Sequence, residues 1–188
     1  VWRGNATTRD KQTMLSKIRE VHRIHLLTNY KLTSKKQKHM NTQPRGLRNN
    51  NPLNIKHSAS RWQGARLEQT DQTFVQFTSM AMGYRAAWRI LESYWQHFHK
   101  KQMPFTPRNI IHRWAPPTEN NSKNYLRTVC LLTGLGGNEA LPRPSTARHQ
   151  GQDNKLVLLL SAMTTMECGV RMEQVNQEEI RKGYEKAF

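Results

Sequence analysis

Three consecutive asparagines ahead of a proline, in Arg45-Gly-Leu-Arg-Asn-Asn-Asn-Pro-Leu-Asn-Ile-Lys56, constrain this chain more than any other feature. Pro52 fixes its own φ and forces Asn51 out of the α region. Asparagine in turn tolerates left-handed backbone angles and folds its amide onto nearby backbone. The segment therefore reads as a built turn. Its amides, on Asn49, Asn50, Asn51 and Asn54, both donate and accept hydrogen bonds. Either they satisfy the neighbouring backbone, or they face a ligand rich in hydroxyl and acetamido groups, such as a sugar polymer.

Downstream the chain reads as mostly helix. Residues 61 to 77 alternate as a small two-stranded ribbon with Trp62, Phe74 and Phe77 on an aromatic face. Ser79 caps a helix to about Lys100, in which Tyr84, Ala87, Trp88, Leu91, Trp95 and Phe98 share one side as a core stripe. Glu92, at the edge of that stripe, is expected to pair with Arg89. Thr106-Pro107 opens a helix that ends near Trp114, because Pro116 and Pro117 cannot continue it. A further helix from Ser122 to Thr133 closes at Gly134, and residues 134 to 154 form a long connector. Asp153 or Asn154 then caps an apolar helix ending at Cys168 before Gly169, and Asn176 with Glu179 marks the start of a last helix. The expected fold class is mainly α with a small β-ribbon, an α+β domain.

At 188 residues the chain is long enough for one sizeable core, and no apolar run approaches the roughly 20 residues needed to cross a bilayer. No secretory signal is legible, because the basic N-terminus lacks a following apolar stretch and cleavage site. The net charge is +17. Residues 1 to 39 hold ten Lys or Arg against Asp10 and Glu20, a net +8, which leaves +9 for residues 40 to 188. These observations divide the chain into a basic N-terminal extension, 1–39, and a domain, 40–188, with Met40 as a candidate alternative start. Within the extension Met14, Ile18, Val21 and His25 recur at helical spacing, and Asp10 is placed to cap a helix to about Leu27. So much positive charge calls for a polyanionic neighbour, an anionic wall or nucleic acid.

The order of an Asn-rich turn ending in Asn-Ile-Lys, a Trp-x-Gly, an aromatic strand and a helix resembles the lysozyme-like cell-wall glycosidases. More closely, the segment from Arg45 to Ile55, together with Arg113-Trp-Ala-Pro-Pro-Thr-Glu-Asn120, is similar to a family of bacteria and their phages known as phage structural or lysozyme-like proteins. The resemblance covers residues 45 to 188. It implies a lysozyme-like fold and either a virion component or a peptidoglycan glycosidase, of muramidase or lytic transglycosylase type. A virion location, or the bacterial cytoplasm with action on the cell wall, goes with it.

The residues point to one carboxylate above the others. Leu156, Leu160, Met163 and Glu167 sit at spacings of four, three and four, so Glu167 shares a stripe with apolar side chains at a helix C-terminus. Burial there, against the negative end of the helix dipole, favours the protonated form that a glycosidase general acid needs. Met166-Glu-Cys-Gly169 resembles the site in lysozyme-like enzymes where the catalytic Glu ends an apolar helix. In those families the Glu precedes the Asn-containing segment, so its place here implies a permuted topology or a different acid. The bland alternative is a half-exposed Glu167 paired with Arg171.

Other carboxylates compete: Glu68 and Asp71 on the ribbon's turn, and Glu119 behind Pro116-Pro117. Asn50, Asn51, Asn54, Trp62 and Asn120 are the candidate substrate-binding residues. His97, His99 and His112 lack a carboxylate or thiol at ligand spacing, so no metal site is expected, and nothing calls for a cofactor. Cys130 and Cys168 lie on separate helices without a CxxC partner and read as buried thiols. With no phosphate loop and no serine elbow, phosphoryl and acyl transfer are poor fits. Two function classes remain. One is a wall-lytic enzyme acting on peptidoglycan; the other is a non-catalytic, basic protein holding nucleic acid or other virion proteins.

Overall fold

A computed structural model describes residues 43–59, 61–116 and 121–188. The helix expected within the basic extension, the start at Met40, and Glu119 and Asn120 lie outside the described residues. Residues Pro44–Phe188 form one compact unit, with helices α1 (Arg45–Arg48), α2 (Met80–Lys100), α3 (Pro107–Trp114), α4 (Ser122–Thr133), α5 (Pro144–Ala147), α6 (Asp153–Cys168) and α7 (Gln177–Ala187). A single 3-10 turn, Met172–Gln174, joins α6 to α7.

The helix boundaries follow local chemistry. Ser79 accepts a hydrogen bond from Met82 N–H and Thr106 from Asn109 N–H, each capping orphan donors of the first turn. Gly134 and Gly169 end α4 and α6 with φ of 72° and 65°, left-handed angles that a Cβ disfavours. Asn176 caps α7 by accepting from Glu178 N–H. The start of α6 differs from expectation. Neither Asp153 nor Asn154 caps it, because Asp153 is already its first helical residue and bonds Arg181 at 2.9 Å.

Helix α6 is central. Leu156, Leu159, Leu160, Ala162 and Met163 are fully buried, and Val157, Ser161 and Thr164 fill the remaining sides. A helix buried all round is the core of its domain. The stripe of α2 packs on α7: Trp88 donates to the Ile180 carbonyl at 2.9 Å and meets the Tyr184 ring edge-on at 5.1 Å. Gly183 permits that approach, since a Cβ there would sit 2.6 Å from Tyr84 Cβ. Glu92 does not pair with Arg89. It is buried, and accepts from Arg143 Nε at 2.8 Å and Ser145 N–H at 3.0 Å, so it ties α2 to the start of α5.

The expected β-ribbon is absent among the described residues. Two isolated antiparallel bridges stand in its place, Lys56 with Phe74 and Ala65 with Phe77. The reason lies in the glutamines: Gln76 Oε1 accepts from the N–H groups of Thr70 and Asp71, and Gln69 Oε1 accepts from Gln76 N–H. Side-chain amides thus bond the backbone groups that a ladder would have used.

Candidate functional site

The asparagine turn is internally bonded. Asn50 and Asn54 adopt φ of 51° and 50°, which explains asparagine at both positions. Asn51 is fully buried; its Nδ2 donates to the carbonyls of Ile55 (2.9 Å) and Val75 (2.8 Å), and its Oδ1 accepts from Ile55 N–H (2.9 Å). Asn50 donates to the Phe77 carbonyl at 3.1 Å. Asn49 donates to Asp71 at 2.7 Å and accepts from Gln76. Three of the four amides therefore bond the turn itself or the adjoining segment 71–77. Gly46 and Gly83 let the turn seat, because a Cβ on Gly46 would lie 2.8 Å from the Asn51 carbonyl oxygen, and one on Gly83 2.1 Å from that of Asn50.

Asn54 faces differently. Its Nδ2 donates to the Glu167 backbone carbonyl at 3.0 Å and reaches Oε2 of the same residue at 3.3 Å. Glu167 also accepts at Oε1 from Trp114 Nε1 (3.0 Å) and from the Tyr125 hydroxyl (3.1 Å). Four parts of the chain thus converge: the turn, α3, α4 and the end of α6. Around them opens a cavity of about 530 Å³ whose walls include Lys56, Phe74, Ile90, Tyr94 and Ala115. It is lined by aromatic rings, with Glu167 in its wall and Lys56 among its polar groups. Burial and the neighbouring Glu167 carboxylate push the Tyr125 hydroxyl well above the ordinary tyrosine range, so this phenol stays protonated and keeps donating. Burial also raises the Cys168 thiol to about 12, and it donates to the Pro52 carbonyl at 3.3 Å. Cys168 and Cys130 are both free thiols; Cys130 is half-buried.

The other sequence candidates lie elsewhere. Asp71 accepts two bonds from Arg45, at 2.7 and 2.6 Å, and further bonds from Asn49, Thr73 N–H and Phe74 N–H. Arg45 chiefly, acting against burial, holds this carboxyl well below the usual carboxylate range. Glu68 is exposed beside the fully exposed Leu67. Trp62 packs on the core and does not line the cavity. Glu167 forms no ion pair with Arg171 or any other described residue. Among the described residues no group of three His, Cys, Asp or Glu is placed to hold a metal.

Trp114 and Tyr125, the donors on Glu167, were not among the residues that sequence spacing singles out. Trp114 does lie within the Arg113-Trp-Ala-Pro-Pro segment, and Tyr125 is an aromatic in the first turn of α4. Beyond Pro116 the chain returns to this wall, where the Ser122 hydroxyl donates to the Ala115 carbonyl.

No family model matches this chain. Over 152 residues it is 36% identical to Protein P5 of Pseudoalteromonas phage PM2, an alignment covering 79% of this chain and 85% of that protein. The chain belongs to the Protein P5 family. The P5 relationship is to a phage protein whose name gives no activity. What the cavity can do chemically therefore rests on its geometry: one carboxylate held by an indole N–H, a phenol and an amide, inside an aromatic-lined hollow.

Proposed function

We propose that this protein is a structural component of a phage or prophage virion. The observation that carries this reading is the relationship to Protein P5, a phage protein aligned over most of its length. The surface is consistent with it. An excess of positive charge suits contact with anionic virion constituents, and Leu131 and Leu132 expose apolar surface near the end of α4. The test is to purify particles from an infected or induced culture by density gradient and quantify this chain in them. A fixed copy number that co-sediments with the major capsid protein is expected. Abundance in the lysate with absence from the particles would overturn the reading.

A second reading is favoured by one specific observation, the cavity with Glu167 in its aromatic wall. Here Glu167 is the general acid for cleavage of a peptidoglycan glycan strand, and Asn54 positions it. Purified protein added to cell-wall sacculi would then lower their turbidity, and Glu167→Gln would lose about 100-fold to 10,000-fold of that rate. Lysis by the variant at the parental rate would move the acid to another carboxylate, with Glu119→Gln and Glu68→Gln the next variants. No lysis by the parent under any ionic condition would leave the structural role alone.

A further inference from the structure

Between Glu92 and Glu139 the sequence holds Lys100, Lys101, Arg108, Arg113, Lys123 and Arg127 against one carboxylate, Glu119. Elsewhere in the domain fourteen Lys or Arg stand against ten Asp or Glu, and six of those cations, Arg45, Arg143, Arg148, Lys155, Arg181 and Lys182, each pair with a carboxylate. Lys100, Lys101 and Arg113 have no such partner among the described residues, and all three are exposed. We propose that the C-terminal end of α2 and the adjoining end of α3 form a binding face for the phosphate backbone of double-stranded nucleic acid. The proposal depends neither on the virion location nor on the role of Glu167.

The face is organised by stacking. The Arg113 guanidinium lies 4.9 Å from the centre of the Tyr94 ring, and its Nη1 is 3.3 Å from His97 Nε2, so the end of α3 is fastened to the last turns of α2. One step along α2, Trp95 is covered by Arg143 at 4.4 Å and by His99 at 4.7 Å with the rings nearly parallel. Arg143 is neutralised by Glu92 at 2.7 Å; Arg113 has no carboxylate partner among the described residues. A guanidinium already held against a ring loses less side-chain freedom when it meets an anion, and its planar donors suit phosphate oxygens. Lys100 and Lys101 follow directly as flexible point charges.

The same stacking selects the partner. Tyr94 and Trp95 are covered by cations, and Phe98 is buried. Among the described residues at this end the Tyr94 and Trp95 rings each carry a guanidinium over one face, which leaves less aromatic surface to stack on an unpaired base or to enter a lipid surface, whereas a duplex backbone requires only cations. Binding of this kind is indifferent to base sequence.

The test uses the full chain and fluorescently labelled 20-base-pair duplexes of two unrelated sequences, followed by anisotropy across a salt series. Equal affinities for the two duplexes and a steep fall with salt are expected. Combining Lys100→Ala, Lys101→Ala and Arg113→Ala should weaken binding at least about tenfold near 0.1 M salt and make the log–log salt slope shallower by about 2 to 3. A control with the same charge loss, Arg61→Ala, Arg171→Ala and Lys186→Ala, should stay within about threefold of the parent. If the triple variant melts early, Lys100→Glu with Lys101→Glu, which keeps the Arg113 stack, is read in its place. Equal losses in test and control, no loss in the test variant, or binding to phosphatidylglycerol vesicles without duplex binding would each overturn the proposal.

Discussion

The asparagine turn and the Glu167 hollow are both dense in buried polar atoms, lie side by side and share Asn54, yet they use those atoms in opposite ways. In the turn, Asn49, Asn50 and Asn51 spend their amides on backbone carbonyls, Asp71 and Gln76. In the hollow, the carboxylate of Glu167 is held by side chains from three other elements while lining a cavity. Polar density in a sequence does not distinguish a scaffold from a site. What distinguishes them is whether the partners are the chain's own backbone or a space that another molecule can enter.

That contrast is sharpest at Asn51. Asn51→Ala removes three buried hydrogen bonds and leaves the Ile55 N–H and the Ile55 and Val75 carbonyls without this partner, at a cost on the order of 3 kcal/mol. For a domain this size the thermal midpoint should fall by roughly 10 °C. A midpoint unchanged in calorimetry would mean that the turn is not a scaffold.

Asp71 supplies the next largest effect. Asp71→Asn should cost about 2 kcal/mol at neutral pH, since it weakens charge-assisted bonds from Arg45 and Asn49. The folded-state affinity of this carboxylate for protons is depressed relative to the unfolded chain. Its stabilisation is therefore present above the unfolded value, near pH 4, and is lost as pH falls towards the folded one. Melting curves from pH 5 to pH 2 should show a steeper decline for the parent than for the variant; parallel declines would remove Asp71 from the acid sensitivity.

Glu167→Gln should have the smallest effect on stability, about 1 kcal/mol, because the amide oxygen still accepts from Trp114 and Tyr125 and only the approach of Asn54 becomes donor against donor. A loss as large as that for Asn51→Ala would make Glu167 part of the scaffold and erase the comparison.

The helices were legible because their signals are local. Ser79, Thr106-Pro107, Gly134 and Gly169 each act within one turn of the backbone they start or stop. The ribbon fails to form for a related reason: alternation from residue 61 to 77 marks side chains facing in and out, but it does not say that Gln69 and Gln76 will take the backbone bonds. Helical spacing pairs Glu92 with Arg89, a neighbour three residues away, whereas its partner in the fold, Arg143, is 51 residues distant.

The residues alone sufficed for the turn, the helical order, the apolar α6 and the excess of positive charge, since each is set by spacing of at most a few residues or by composition. The environment of Glu167 was decided only by folding. Its donors Asn54, Trp114 and Tyr125 stand 113, 53 and 42 residues away, and no periodicity links them. They meet because the buried α6 delivers its last turn to the place where the asparagine turn, α3 and α4 pack together.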